Sequence, residues 1–148
     1  LVPTRELCNQ VYEQLTSFCY YCGDKIAATP LAAEAMELQQ VSLREHPDIV
    51  ISTPAQLVAH LKQGLSEMMS SVGTLVIDEA DLVLSFGGAD DIREVVHHLP
   101  NSVQAMLMSA TLSDDVEALK KLVLHIIELI QRNILQCIKL KPSITLFF

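Results

Sequence analysis

Tryptophan is absent from this 148-residue chain, glycine occurs only five times, and aromatic residues make up 5% of it. No internal repeat or low-complexity segment is present. Half of the residues are apolar, enough to bury a core within one ordinary domain and to rule out disorder as the dominant state. No uninterrupted apolar run approaches the ~18 residues that a membrane span requires. The most apolar stretch, after Lys121, is broken by His125, Glu128, Gln131, Arg132 and Asn133. No membrane partner is therefore expected. Arg5 and Glu6 arrive before any apolar run forms, so no signal peptide is expected either. The first residue is Leu1, not Met, and the chain is expected to be a fragment.

Positive charge is also scarce. Ten basic residues against eighteen acidic ones give a formal charge of -8, which argues against broad phosphate binding driven by counterion release. Local binding of nucleic acid by backbone amides and a few hydroxyls stays open, with weak affinity for this chain alone. Cys8, Cys19, Cys22 and Cys137 read as reduced thiols. Cys19 and Cys22 have metal or redox spacing, but no second pair follows, and a packing role is favoured. His97 and His98 lack a histidine partner at helical spacing and read as surface residues. No G-x-x-x-x-G-K-[ST] occurs anywhere, and no Lys-Ser/Thr follows Gly87-Gly88 at the spacing a phosphate-cradling loop needs.

What the chain does have is alternation of short apolar runs with helical patterns. Leu1-Val2 reads as the stump of a strand. Apolar residues at Leu7, Cys8, Val11, Leu15 and Phe18 predict a helix capped by Thr4. A short strand is predicted over Lys25 to Ala28, broken by Thr29-Pro30, and a helix over Ala32 to Arg44. Asp48 to Ser52 reads as a buried strand running into a helix at Pro54, capped by Thr53 and closed near Gln63-Gly64. Thr74 to Ile77 and Gln104 to Met108 read as buried strands, with a helix over Asp90 to Leu99 between them. Ser113 then caps a helix carrying Asp114 and Asp115 in its first turn.

This alternation predicts an α/β fold, a parallel sheet covered by helices on both faces. Such sheets place chemistry at the carboxyl ends of their strands. The polar clusters fall there: Pro3-Thr4-Arg5, Thr53-Pro54, Asp78 to Asp81, and Ser109 to Thr111. An apolar strand ending in Asp-Glu suits nucleotide hydrolysis, in which the Asp holds Mg²⁺ or its waters and the Glu positions or deprotonates the attacking water. Alone the motif is equally consistent with a solvated helix start. Thr4 and Thr53 likewise read as helix caps, and Arg5 as a partner for a nearby carboxylate.

PTREL at residues 3–7, Thr53-Pro54, VIDEAD at 76–81 and SAT at 109–111, in that order, resemble the first RecA-like domain of a DEAD-box RNA helicase. The resemblance covers residues 1–125, and DEADLVLSFG at 78–87 resembles the nucleolar branch that assists large ribosomal subunit assembly. It implies a RecA-like sheet, incomplete because the phosphate-loop strand is missing, and an ATP-dependent enzyme that unwinds RNA duplexes. By the same resemblance Asp78 holds Mg²⁺ through water, and Glu79 is the catalytic base. Asp81 bonds Ser109 and Thr111 to couple nucleotide to RNA, while Pro3, Thr4, Arg5, Thr53 and Pro54 line the RNA backbone. ATP and Mg²⁺ are the implied cofactors of the full-length parent. Pre-ribosomal RNA and a second RecA-like domain are the implied partners, and the nucleus and nucleolus the implied location.

The chain departs from the family pattern in three places. Ala55-Gln56 stands where the family has Gly-Arg, which removes a cation from the RNA side. Alanines, Ala27-Ala28 and Ala32-Ala33, stand where a glycine doublet is expected. Residues 126–148 match nothing in the family: they extend the last helix, with Ser143 to Phe148 as a strand, or form an unrelated tail. The alternative reading is a non-catalytic fragment, or an RNA- or protein-binding module. A third reading, a helicase-like ATPase acting on DNA, is disfavoured by Ser-Ala-Thr pairing with Asp-Glu-Ala-Asp.

Overall fold

A computed structural model describes residues 1–32, 35–111, 113–121 and 123, without the side chains of residues 23, 24, 66 and 67. Residues 126–148, with their expected helix extension and strand, lie outside these, as does Ala33.

Four strands form two parallel pairs. Strand β1 (Ala28–Leu31) pairs with β2 (Ile49–Ser52), and β3 (Thr74–Ile77) with β4 (Gln104–Leu107). Leu1 and Val2 fill the gap between them. The Val2 amide donates to the Ser52 carbonyl at 3.0 Å, the Leu1 amine donates to Val76, and the Asp78 amide donates to Leu1 at 2.9 Å. A two-residue run is too short to count as a strand, yet its bonds follow a parallel ladder and join the pairs into one sheet, ordered β1, β2, residues 1–2, β3, β4. On its other side β4 has no strand partner among the described residues, leaving an edge.

Alternation along the strands sorts side chains onto two faces. Val2 and Ile51 pack with Cys8, Leu7 and Val11 of α1 (Arg5–Cys19). Leu31, Leu75, Ile77, Ala105 and Leu107 point the other way, into a larger core with Leu57 and Val58 of α3 (Pro54–His60) and Ile92, Val95 and Val96 of α6 (Ala89–His97). Val116 and Leu119, in helical residues 114–121, join that core. No described helix is long and apolar enough to cross a membrane.

Several sequence expectations are corrected. The strand predicted over Lys25 to Ala28 lies at β1, three residues later, because Lys25 belongs to a 3₁₀ turn over Tyr20–Lys25. Thr29 and Pro30 lie inside β1 and do not break it; β1 has one partner strand, so the missing Pro30 N–H costs no ladder bond on the open edge. Helix α2 spans Met36–Arg44, starting after Ala35 and not at Ala32. The helix started at Pro54 closes near Gly64 as expected, and a second short helix, α4 (Ser66–Met69), begins beyond it. Between them a π turn spans Leu61–Leu65, kinked where Gly64 takes φ 101°. Glu117 pairs with Lys120, 3.4 Å away.

Candidate functional site

The strand tips place all four polar clusters along one edge of the sheet. Val2 is bonded to Ser52, so Pro3-Thr4-Arg5 stands beside Thr53-Pro54. Thr4 caps α1, its Oγ1 accepting from the Leu7 amide at 3.2 Å, and Thr53 caps α3, accepting from the Gln56 amide at 3.3 Å. Capping uses a lone pair and leaves each hydroxyl hydrogen free to donate outward. Both threonines are half-buried, and Pro3 likewise. Arg5 is exposed and has no ion-pair partner among the described residues. Pro54 is buried at the first position of α3, where its fixed φ shapes the turn and its ring presents little surface.

The second pair of clusters sits at the tips of β3 and β4. Asp78 is half-buried, its amide held by Leu1 and its Oδ1 accepting from the Glu79 amide at 2.9 Å. Glu79 is exposed and lies in the left-handed region, φ 48° and ψ 52°, as the residue before α5 (Ala80–Ser85). That conformation costs a non-glycine residue about 1–2 kcal/mol. It is held from both sides, because the Ala80 amide donates to the Met108 carbonyl at 2.9 Å and Val83 to the Glu79 carbonyl at 3.0 Å.

Asp81, on the first turn of α5, accepts from the Thr111 hydroxyl at 3.0 Å. That bond, with lesser help from the Leu82 amide and Ser109, holds the Asp81 carboxyl below the usual carboxylate range against a smaller opposing effect of desolvation. Ser109 Oγ donates to the Thr111 carbonyl at 2.8 Å, shaping the turn that presents Thr111. The β3 and β4 tips are thus tied twice, once through backbone and once through side chains.

A divalent cation would find here the half-buried carboxylate of Asp78, its Oδ1 engaged by the Glu79 amide, beside exposed Glu79. No group of three or more His, Cys, Asp or Glu suited to a metal occurs among the described residues. This donor set fits an ion that keeps most of its waters and takes phosphates as ligands, the habit of Mg²⁺, and does not fit a caged structural metal.

Sequence reasoning missed one polar group behind this edge. Gln39 of α2 is buried, and its Oε1 accepts from Gln56 Nε2 at 2.9 Å and from buried His60 Nε2 at 2.6 Å. Gln56, standing where the resemblance leads one to expect a cation, is turned inward to this network. Glutamine at 39 and histidine at 60 each fall on a helix face otherwise rich in leucine and valine, and that interruption was the available signal.

Residues 1–119 match the family described as DEAD/DEAH box helicase. Over 126 residues the chain is 46% identical to the probable ATP-dependent RNA helicase ddx56 of Dictyostelium discoideum, covering 84% of this chain and 18% of that protein. It is 46% identical over 123 residues to the ATP-dependent RNA helicase dbp9 of Aspergillus niger, covering 82% and 20%. Against DEAD-box ATP-dependent RNA helicase 16 of Oryza sativa subsp. japonica the identity is 40% over 129 residues, covering 84% and 19%. The chain spans about a fifth of the length of these relatives. Among solved structures, a DEAD box protein from the hyperthermophile Methanococcus jannaschii superposes with a TM-score of 0.72 at 27% identity, covering 82% of this chain and 32% of that one. The DEAD-box helicase Mss116 bound to ssRNA and UDP-BeF superposes with a TM-score of 0.70 at 26% identity, covering 82% and 26%. The architecture is the RecA-like α/β fold of these proteins.

Proposed function

Because the chain belongs to the DEAD/DEAH box helicase family, we propose that residues 1–125 are part of the first RecA-like domain of an ATP-dependent RNA helicase acting on pre-ribosomal RNA in the nucleolus. The observation that carries this reading is the single edge on which Asp78, Glu79 and the Asp81–Thr111 bond stand beside the two half-buried capping threonines and Arg5. The names of the ddx56 and dbp9 relatives support RNA as the substrate class.

In this assignment Glu79 takes the proton of the attacking water, and its left-handed backbone places the residue at the tip of β3, just ahead of α5. Asp78 would hold Mg²⁺, and the ion would supply charge neutralisation for the phosphates. Asp81 reports the state of that tip to Thr111. Thr4, Thr53 and Arg5 contact the RNA backbone, with Pro3 and Pro54 setting the two turns.

The chain itself has no lysine-bearing loop to cradle the β- and γ-phosphates. Phosphoryl transfer rests on positioning and charge stabilisation, so the isolated chain should be catalytically silent and the parent active. Radiolabelled ATP turnover, with and without RNA, tests this on the chain, the full-length parent and its Asp78→Asn variant. Turnover by the chain alone, or an unimpaired Asp78→Asn parent, would overturn the assignment.

A further inference from the structure

Seven residues make α3 about 10 Å long, and a helix this short takes its direction from its contacts. Leu57 and Val58 are buried along it, but apolar contacts are non-directional and fix its distance from the core better than its rotation. The directional hold is polar. Gln56 and His60 stand four residues apart and so share one face of α3. Both side chains reach the same atom, Gln39 Oε1 on α2, at 2.9 and 2.6 Å.

Gln39 is 3% exposed, a costly place for an amide that is not hydrogen-bonded. Its carbonyl oxygen has two lone pairs, and the Nε2 donors of Gln56 and His60 use both. Burial lowers the pKa of His60 and so favours the neutral ring, whose Nε2–H faces Gln39. Two donors one turn apart converge on one oxygen only over a narrow range of rotation about the helix axis. Gln56 is held at its backbone as well, its amide donating to Thr53 Oγ1 at 3.3 Å. One residue therefore links buried Gln39 to the cap hydroxyl at the strand tip.

We propose that Gln39 is a positioning residue for binding of the RNA backbone, acting through Gln56 to set the Thr53-Pro54 turn beside Pro3-Thr4-Arg5. This role rests on the RNA-binding reading of Thr53 given above. It also gives position 56 a task without a cation: the glutamine shapes the turn from inside and offers no charge outside.

The test uses the full-length parent carrying Gln39→Met, which keeps the side-chain length and removes the acceptor. Hydrogen exchange should accelerate over residues 53–60 and stay unchanged over 4–11, the start of α1. The RNA concentration for half-maximal ATP turnover should rise about five-fold, the factor that one net hydrogen bond represents, with turnover at saturating RNA unchanged. In a Thr53→Ala background the same substitution should change that concentration by less than about two-fold, since Gln39 acts through Thr53. Gln56→Met, at a half-buried position, cuts the same link and carries the test if Gln39→Met does not fold. Equal effects in both backgrounds, equal acceleration at both helices, or a loss confined to saturated turnover would each overturn the proposal. If Thr53→Ala weakens RNA binding and Gln39→Met does not, the positioning role alone falls. If neither weakens it, the RNA reading of Thr53 falls and takes this role with it.

Discussion

The two halves of the sheet that meet at Leu1 and Val2 present their polar tips in opposite chemical form. On the β1–β2 side the tip carries two cap hydroxyls and the exposed guanidinium of Arg5, all able to donate. On the β3–β4 side it carries Asp78, Glu79 and Asp81, all acceptors, one of them in a left-handed conformation. The donor half relies on ordinary helix starts and stores no strain. The acceptor half places a carboxylate where a non-glycine residue is costly and secures it with backbone bonds to Met108 and Val83. In the proposed assignment the donors would meet the phosphates of an RNA backbone and the acceptors a hydrated cation, on separate halves of one edge.

The sharpest way to break this comparison is to disable one half. Glu79→Gln in the full-length parent should keep ATP bound yet lower turnover about 10²–10⁴-fold, the loss expected for a positioned base. Steady-state hydrolysis and nucleotide binding, measured together, separate the two effects. An unimpaired variant would remove Glu79 from the reaction.

The seam between the halves gives the next largest effect. In the isolated chain Leu1 carries a free amine within the sheet, and desolvation lowers its pKa from 8.0 to about 6 against smaller opposing influences from Cys8 and Asp78. Above pH 8 the amine is neutral folded and unfolded, and contributes nothing. As pH falls from 8 to 6 the unfolded chain takes up a proton that the folded chain refuses, so stability drops by about 3 kcal/mol and levels off below 6. N-terminal acetylation should remove this component. Urea denaturation of free and acetylated chains at pH 8 and pH 6 checks it, and curves that fall equally would place the amine in water.

Within the acceptor half, Gly88 tests how closely α5 is held. A Cβ there would lie 2.8 Å from Val83 Cγ1 and 2.9 Å from the Val83 carbonyl, so the helix bearing Asp81 must shift. Gly88→Ala should cost about 1–3 kcal/mol in thermal denaturation, as overpacking does. An unchanged melting temperature would mean that α5 moves freely.

The smallest effect belongs to the donor half. Thr53→Ala removes the cap on α3 and should cost about 1 kcal/mol of stability, with Thr53→Ser restoring it. If the hydroxyl also donates to RNA, the full-length parent's affinity should fall with alanine and return with serine. Equal RNA affinity in all three proteins would confine Thr53 to capping.

The positions of the strand tips were readable because buried apolar runs end abruptly on Pro, Asp or Ser, as at Ser52-Thr53-Pro54 and Ile77-Asp78. Two things were not. Pro30 argued for a break, and only the pairing of β1 with a single neighbour shows why a proline is tolerated there. The joining of the two strand pairs rests on two residues with no periodicity to detect, and it emerges only from bonds to Ser52 and Val76. The Gln39–Gln56–His60 group is likewise a tertiary fact, since helical spacing shows shared faces within α3 but not that α2 supplies the acceptor.

The placement of Leu1 and Val2 also dictates an order of events in time. These residues occupy the middle of the sheet, yet their partners lie 50 and 75 positions further along the chain. Closing such loops costs about 0.8 kcal/mol more in entropy than the shorter closures of the β1–β2 and β3–β4 pairings. The two halves are therefore expected to form first, as separate units, with the N-terminal dipeptide entering last between them. During synthesis residues 1–2 would emerge well before their partners at 52 and 76 and pair last, with the inner edges of both strand pairs exposed in the meantime.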